Sequence, residues 1–341
     1  MDYDALTRGL ARVNIKASNG PKAYNGIEKR LFPSKEGTAQ DVMKASYEEW
    51  GVNIPEQAVR GADPDRVNYK TPFNEKYIEG AYHFIEQKIN LADAQNRLFD
   101  EPMESAWSVE QRELHILAKI RDRMHRDFIF ARQGILSDAL FTGKFTTKNG
   151  GEQSFPVIAK NLSLAGAGLS TNPVSVLSKA VMPIVKKGHI IDTLILNPED
   201  AITLMAATGT GTWSDILDKE HIVAGLDTKA LGEDGFSYIG TIPSVGSGLI
   251  KVLAYFGTKN GSDFFIPQGK AILCGEPVGV MGYCGVLSVA NGVQAQVAAE
   301  ESFTVYGKER GALIDTFIQG QIAPCPIVYG VESYGILTGI N

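Results

Sequence analysis

Ser108-Val109-Glu110-Gln111-Arg112-Glu113-Leu114 opens the stretch that decides the fold, and Ala139-Leu140-Phe141-Thr142-Gly143 closes it. Between them apolar residues recur at Leu114, Leu117, Ile120, Met124, Phe128, Ala131, Ile135 and Ala139. Steps of three and four keep one stripe on one side of a helix. Ser108 with Gln111 has capping-box spacing, and Gly143 is a stop signal. The span predicts one rod on the order of 50 Å, several times the usual helix length. Its polar side sets Arg112, Lys119, Arg121, Arg123, Arg126 and Arg132 against Glu110, Glu113, Asp122 and Asp127. Such interleaving reads as a solvated, salt-bridged face. The alternative is a rod across which other subunits lie. Gly134 marks a point where the rod can bend.

Outward from this helix the chain is uneven. Residues 1–40 carry no sustained pattern, although Leu6, Leu10 and Val13 suit a short helix from Asp2 to Val13. Turn formers follow at Ser18-Asn19-Gly20-Pro21 and Asn25-Gly26. With little to bury, this segment is expected to be an extended arm unless something else holds it. Asp41 to Trp50 is partly helical in pattern. A polar stretch from Arg60 to Pro72 is flanked by strand-like residues in Glu49–Val59 and Phe73–Ile85. That order predicts a long projecting hairpin, which is marginal without a partner surface. Beyond the helix, Lys148-Asn149-Gly150-Gly151 turns a small hairpin. Asn172-Pro173 and Asn197-Pro198 each open a helix. From Phe236 on, strands dominate: Tyr238–Ile242, Leu249–Tyr255, Phe264–Ile266, Lys270–Leu273, Val278–Val289, Gln294–Tyr306 and Gly311–Gln319. The class is α+β.

The 341 residues are 44% hydrophobic and 21% charged, so the chain is globular. A formal charge of −6 argues against general nucleic-acid binding, which needs clustered cations. Cys274, Cys284 and Cys325 are odd in number, lack C-x-x-C spacing, and read as buried reduced thiols. The start is acidic and followed by no apolar core of a signal peptide. With no long apolar run either, the chain is expected to be cytosolic when made.

Catalytic patterns are missing. There is no H-E-x-x-H, G-x-S-x-G or Walker A sequence. Gly209-Thr210-Gly211 lacks the third glycine of a dinucleotide turn, and a phosphate role at Gly246-Ser247-Gly248 is equally weak. None of His83, His115, His125, His189 and His221 has a His or Cys at metal-ligand spacing. Asp192, Asp215 and Asp218 are the acids nearest His189 and His221, a cheap coincidence. No catalytic residue, cofactor or metal is expected.

The order of arm, long hairpin, long helix and compact mixed region resembles the major capsid (head) proteins of tailed bacteriophages, in particular the family of the phage lambda major capsid protein. Three segments are similar to that family's pattern: Ala139-Leu140-Phe141-Thr142-Gly143-Lys144-Phe145; Tyr255-Phe256-Gly257 through Phe265–Leu273; and Glu309–Phe317 with the Gln321–Pro324 run. The resemblance extends from about residue 28 onward and is weakest over 208–235.

The resemblance implies an HK97-type capsid fold. Its parts would be an N-terminal arm over 1–48, an extended loop over 49–84, a peripheral domain of 85–159 and 299–320 with its spine helix at 108–143, and an axial domain of 160–298 and 321–341. It implies a shell subunit assembling as hexamers and pentamers into an icosahedral head enclosing double-stranded DNA, located in the virion after assembly in the host cytoplasm. Implied partners are a scaffold protein, the portal and a decoration protein, with no membrane. Arg60, Asp63, Asp65, Arg66, Tyr69, Lys70 and Phe73, at the loop tip, become the candidate inter-subunit contacts. Some family members cross-link covalently, and Lys70 is a candidate for that by location alone. Two alternatives stand beside this: an encapsulin-like shell holding protein cargo, and a cytosolic enzyme using loop 208–212.

Overall fold

The computed structural model describes residues 22–48, 73–89, 107–146, 152–154, 162–217, 228–275, 277–290, 293–310, 313–328 and 334–340. The expected N-terminal helix from Asp2 to Val13 and the loop tip from Arg60 to Pro72 lie outside them.

The long helix runs unbroken from Val109 to Phe141. Ser108 Oγ accepts the Gln111 N–H at 3.2 Å while Gln111 Oε1 accepts the Ser108 N–H at 2.9 Å, closing the capping box. At the other end the N–H groups of Thr142 and Gly143 both reach Asp138 O, and Gly143 takes φ +69°. That left-handed geometry favours glycine and stops the helix.

The helix serves two cores. Leu117, Ala118, Met124 and Phe128 lie on a three-stranded antiparallel sheet ordered Ser302–Arg310, Leu313–Ile322, His83–Ile89, meeting Ile89, Val305, Ile318 and Ile322. One strand of this sheet is thus separated from the other two by over 200 residues. Phe128 is fully buried, its ring 5.9 Å from that of Phe303. Further along, Leu136 and Leu140 join a second core.

That second core covers one face of a six-stranded mixed sheet. Its order is Leu162–Ala165, Tyr334–Thr338, Lys270–Cys274, Thr193–Leu196, Gly248–Tyr255, Phe236–Ser244. Strand side chains alternate between faces. Ile195, Leu253, Ile272 and Ile336 therefore face the long helix and the short helix Gly26–Leu31. Leu194, Leu196, Val252, Ala254, Ala271, Leu273 and Leu337 face helices Pro173–Val185, Pro198–Ala206 and Trp213–Ile216. Burial on both faces explains the continuous apolar run Leu194-Ile195-Leu196. Both Asn-Pro helix openings are present: Asn172 Oδ1 accepts from Ser175 N at 3.3 Å and Asn197 Oδ1 from Glu199 N at 2.8 Å.

A smaller sheet joins Ser34–Gly37, Gly279–Tyr283 and Pro324–Val328. Gly279 is needed there, because a Cβ would collide with Ile327 O and the Phe32 ring.

Several expectations are corrected. The arm is not free over its described part. Ile27, Leu31 and Phe32 are at most 1% exposed, because the second face of the six-stranded sheet receives them. Val42–Glu48 is a strand, not partly helical, because Phe73–Glu79 pairs with all seven of its residues. The hairpin's first strand thus precedes Glu49. Arg132 is not on a solvated face; only 3% of it is exposed. Gly134 does not interrupt the helix. It lets the Lys259 carbonyl approach, 3.2 Å from where a Cβ would sit. Phe264–Ile266 is no strand and makes a single bridge, Thr258 to Phe264. Val278–Val289 divides into Gly279–Tyr283 and Gly285–Ala290.

Candidate assembly surface

Val42–Glu48 and Phe73–Glu79 pair with each other and, among the described residues, with no third strand. Among the described residues, contacts fasten the ribbon at its root. Gly285 N donates to Gln40 O at 2.8 Å, Thr38 N to Tyr283 O at 2.9 Å, and Gln296 Nε2 to Asp41 Oδ1 at 2.7 Å. Met43, 6% exposed, plugs into Cys284, Val286, Ala323, Cys325 and Ile327. A cavity of about 320 Å³ opens beside this root, lined by Asp41, Glu79, Tyr82, Leu287 and Gln296 among others. Tyr82 and Leu287, 45% and 41% exposed, present apolar surface there. A two-stranded ribbon of this length is marginal in water by itself.

The far side of the six-stranded sheet carries a second exposed apolar group. Helix Pro198–Ala206 buries Ala201 and Leu204 but turns Ile202 and Met205 outward, 70% and 42% exposed. The turn after Phe236–Ser244 exposes Val245 at 64%. With Val174 and Met182, Val245 lines a cavity of about 380 Å³. Sequence reading passed over these residues, although apolar residues on both sides of a short helix were a usable signal.

Of the tip residues, Arg60, Asp63, Asp65, Arg66, Tyr69 and Lys70 lie outside the described residues. Phe73 begins the returning strand, opposite Glu48.

The groups weighed for chemistry have other partners. Gly211 N–H donates to Asp215 Oδ2 at 2.7 Å and Thr212 Oγ1 to Gly209 O at 2.7 Å, so loop 208–212 folds onto its own donors. The helix after it is a single turn, too short for a phosphate-binding N-terminus. Asp192 is engaged by Lys251 at 3.1 Å and Thr193 at 2.7 Å. Asp218 and His221 lie outside the described residues. All three cysteines are buried free thiols. Burial pushes Cys274 up to about 11, away from reactive thiolate character. A hydrogen bond between Cys284 and Cys325 lowers the first and, with burial, raises the second. Among the described residues no group of three His, Cys, Asp or Glu is placed to hold a metal ion. No described helix is long and apolar enough to cross a membrane.

A hairpin rooted on one core, a spine helix shared by two cores and a sheet layered with helices on its far face together make the HK97-type capsid fold. The chain superposes along its length on solved structures with that fold. A crystal structure assigned as the capsid protein of a prophage of E. coli CFT073 matches with TM-score 0.65 at 12% identity, over 99% of each chain. The mature capsid of bacteriophage PhiM1 matches with TM-score 0.51 at 10% identity, over 96% of this chain and 91% of that one. A chain from Gordonia phage Cozz matches with TM-score 0.50 at 12% identity, over 96% and 90%. No protein-family model matches the sequence, and no curated protein does.

Proposed function

We propose that this chain is a major capsid protein, the wall subunit of an icosahedral phage head. The observation that carries the reading is the hairpin that, among the described residues, pairs with no third strand, within a fold superposable end to end on a prophage capsid protein. A neighbouring subunit supplies the surface that the ribbon lacks. The subunits group as hexamers and pentamers, with the exposed Ile202 and Met205 in the contacts between them. The division of labour follows the sequence expectation except that the hairpin begins at Val42: 1–41 as arm, 42–84 as extended loop, 85–159 and 299–320 as peripheral domain, 160–298 and 321–341 as axial domain. Arg60, Asp63, Asp65, Arg66, Tyr69, Lys70 and Phe73 are the loop's contacts to neighbours. The work is structural rather than catalytic, and the location is the virion, after assembly in the host cytoplasm. A net charge of −6 suits a wall that encloses double-stranded DNA without gripping its phosphates. A scaffold protein and the portal are its partners in assembly, with a decoration protein as an optional third.

The test is purification of the expressed chain followed by sedimentation and electron microscopy. Closed shells are expected, and a chain that stays monomeric at high concentration refutes the reading. Ile202→Asp places a charge in the apolar contact and leaves the fold alone, since the side chain is mostly exposed. It should abolish shells while preserving the circular dichroism spectrum. Shells that carry host protein as cargo would favour the encapsulin-like alternative.

A further inference from the structure

Three pieces of chain distant in sequence meet at Arg132. Its side chain is 4% exposed. Nε lies 3.5 Å from Glu28 Oε2 on the short arm helix, and Nη1 lies 3.1 Å from Glu301 Oε1. Glu301 sits in the connection between strands Val293–Ala298 and Ser302–Arg310. Its other oxygen meets His125 Nδ1 at 2.6 Å, on the long helix but about half exposed. The surrounding charged and titratable groups are few. Tyr283 OH donates to Glu28 Oε1 at 3.4 Å, and Lys35 holds Glu300 at 2.7 Å. Asp122 and Arg132 act on His125 from its own helix. The place is special in the fold: Phe128 on one side belongs to the three-stranded-sheet core, and Leu136 on the other belongs to the six-stranded-sheet core.

We propose that Glu28, Arg132, Glu301 and His125 form a proton-operated latch, which fixes the arm helix to the long helix at the joint between the two cores. Its use in the particle rests on the shell reading: subunits in pentamers and hexamers sit in different surroundings, and a joint whose stiffness can change lets one chain fit both. The latch itself is a property of the single subunit.

Protonated His125 gives the Glu301 carboxylate a second cationic partner and pins the connection that faces Arg132. Neutral His125 can still donate its Nδ1–H to Glu301 but adds no positive charge, so the pin on the connection weakens. The hydrogen bond to Glu301 raises the His125 pKa, outweighing the opposing effects of burial and of Arg132. A group whose pKa is raised by the latched state stabilises that state fully below its ordinary value, near 6.5, and loses the contribution as pH rises through the raised value.

Hydrogen exchange at the amides of residues 26–31 tests this in the unassembled subunit. Protection, corrected for intrinsic exchange rates, should fall on the order of two- to fivefold from about pH 6 to pH 8, the span of a partly exposed ion pair. His125→Gln keeps a donor for Glu301 but does not titrate, and its profile should be flat. A flat wild-type profile overturns the proposal, as does an equal fall in His125→Gln. Shell formation is read separately by electron microscopy, so a failure to assemble sinks the shell reading while exchange still decides the latch.

Discussion

Arg132→Met isolates the energetics of the joint. The guanidinium and the Glu28 carboxylate are 4% and 3% exposed, so neither can turn to water. Deleting the cation leaves Glu28 with only the long Tyr283 hydroxyl contact on Oε1 at 3.4 Å. Its Oε2 has no hydrogen-bond partner even in the intact protein and depends on the arginine charge. Glu301 is better placed to survive, because His125 remains and its side chain is 13% exposed. Breaking a buried pair by removing one member costs about 3–5 kcal/mol, most of it from the stranded charge. Adding Glu28→Gln removes that charge, while the amide oxygen still accepts from Tyr283. The double variant should therefore recover most of the loss, and the two changes should couple by several kcal/mol. The assay is denaturant unfolding of the unassembled subunit, followed by the fluorescence of the buried Trp213. Arg132→Met within about 0.5 kcal/mol of wild type would refute the reasoning, as would additivity of the two changes.

Two further substitutions test the beam on either side of this joint. Phe128→Ala removes a fully buried ring stacked over Gly320 and beside Phe303, and should cost about 3–5 kcal/mol in the same unfolding assay. A loss under about 1 kcal/mol would mean the helix does not pack on that sheet. Ser108→Ala deletes the acceptor of the Gln111 N–H and should cost about 1 kcal/mol, seen as faster exchange at residues 110–112 with the later turns unchanged.

The long helix was legible because its signals are local. A capping box, a three–four periodicity and a terminal glycine all lie within the segment they describe. The small hairpin Lys144–Thr146 with Glu152–Ser154 and the two Asn-Pro helix starts were readable for the same reason. Val42–Glu48 was not. Met43, Lys44, Ala45 and Glu48 favour helix locally, and only pairing with Phe73–Glu79 makes the segment a strand. Strand preference is largely a matter of such neighbours. The arm helix Gly26–Leu31 is too short for periodicity to register. The surface that buries it comes from residues more than a hundred positions away, such as Leu136, Phe236 and Val278.

Arg132 shows the deeper limit. On a helical wheel, at about 100° per residue, it lies at the edge of the apolar stripe, close to Arg121 and opposite Arg123, and the sequence offers no mark to say that this edge is buried at Arg132 and only half-buried at Arg121. What separates it is position along the rod. A helix that serves one sheet keeps one polar side throughout, but this one passes from the three-stranded sheet to the six-stranded sheet and becomes covered nearly all round. Any polar residue in the second half must then find a partner inside: Gln133 accepts from Tyr255, Ser137 donates to Phe265 O, and Arg132 pairs with Glu28 and Glu301. The same reasoning extends to the assembly surfaces. Ile202, Met205 and Val245 are exposed apolar residues within one chain, and the proposed shell would give them partners on a neighbouring copy. Arg132 is hidden from the sequence by a second core of its own subunit, and in the proposed shell a neighbouring subunit would hide these apolar residues in the same way, one level further out.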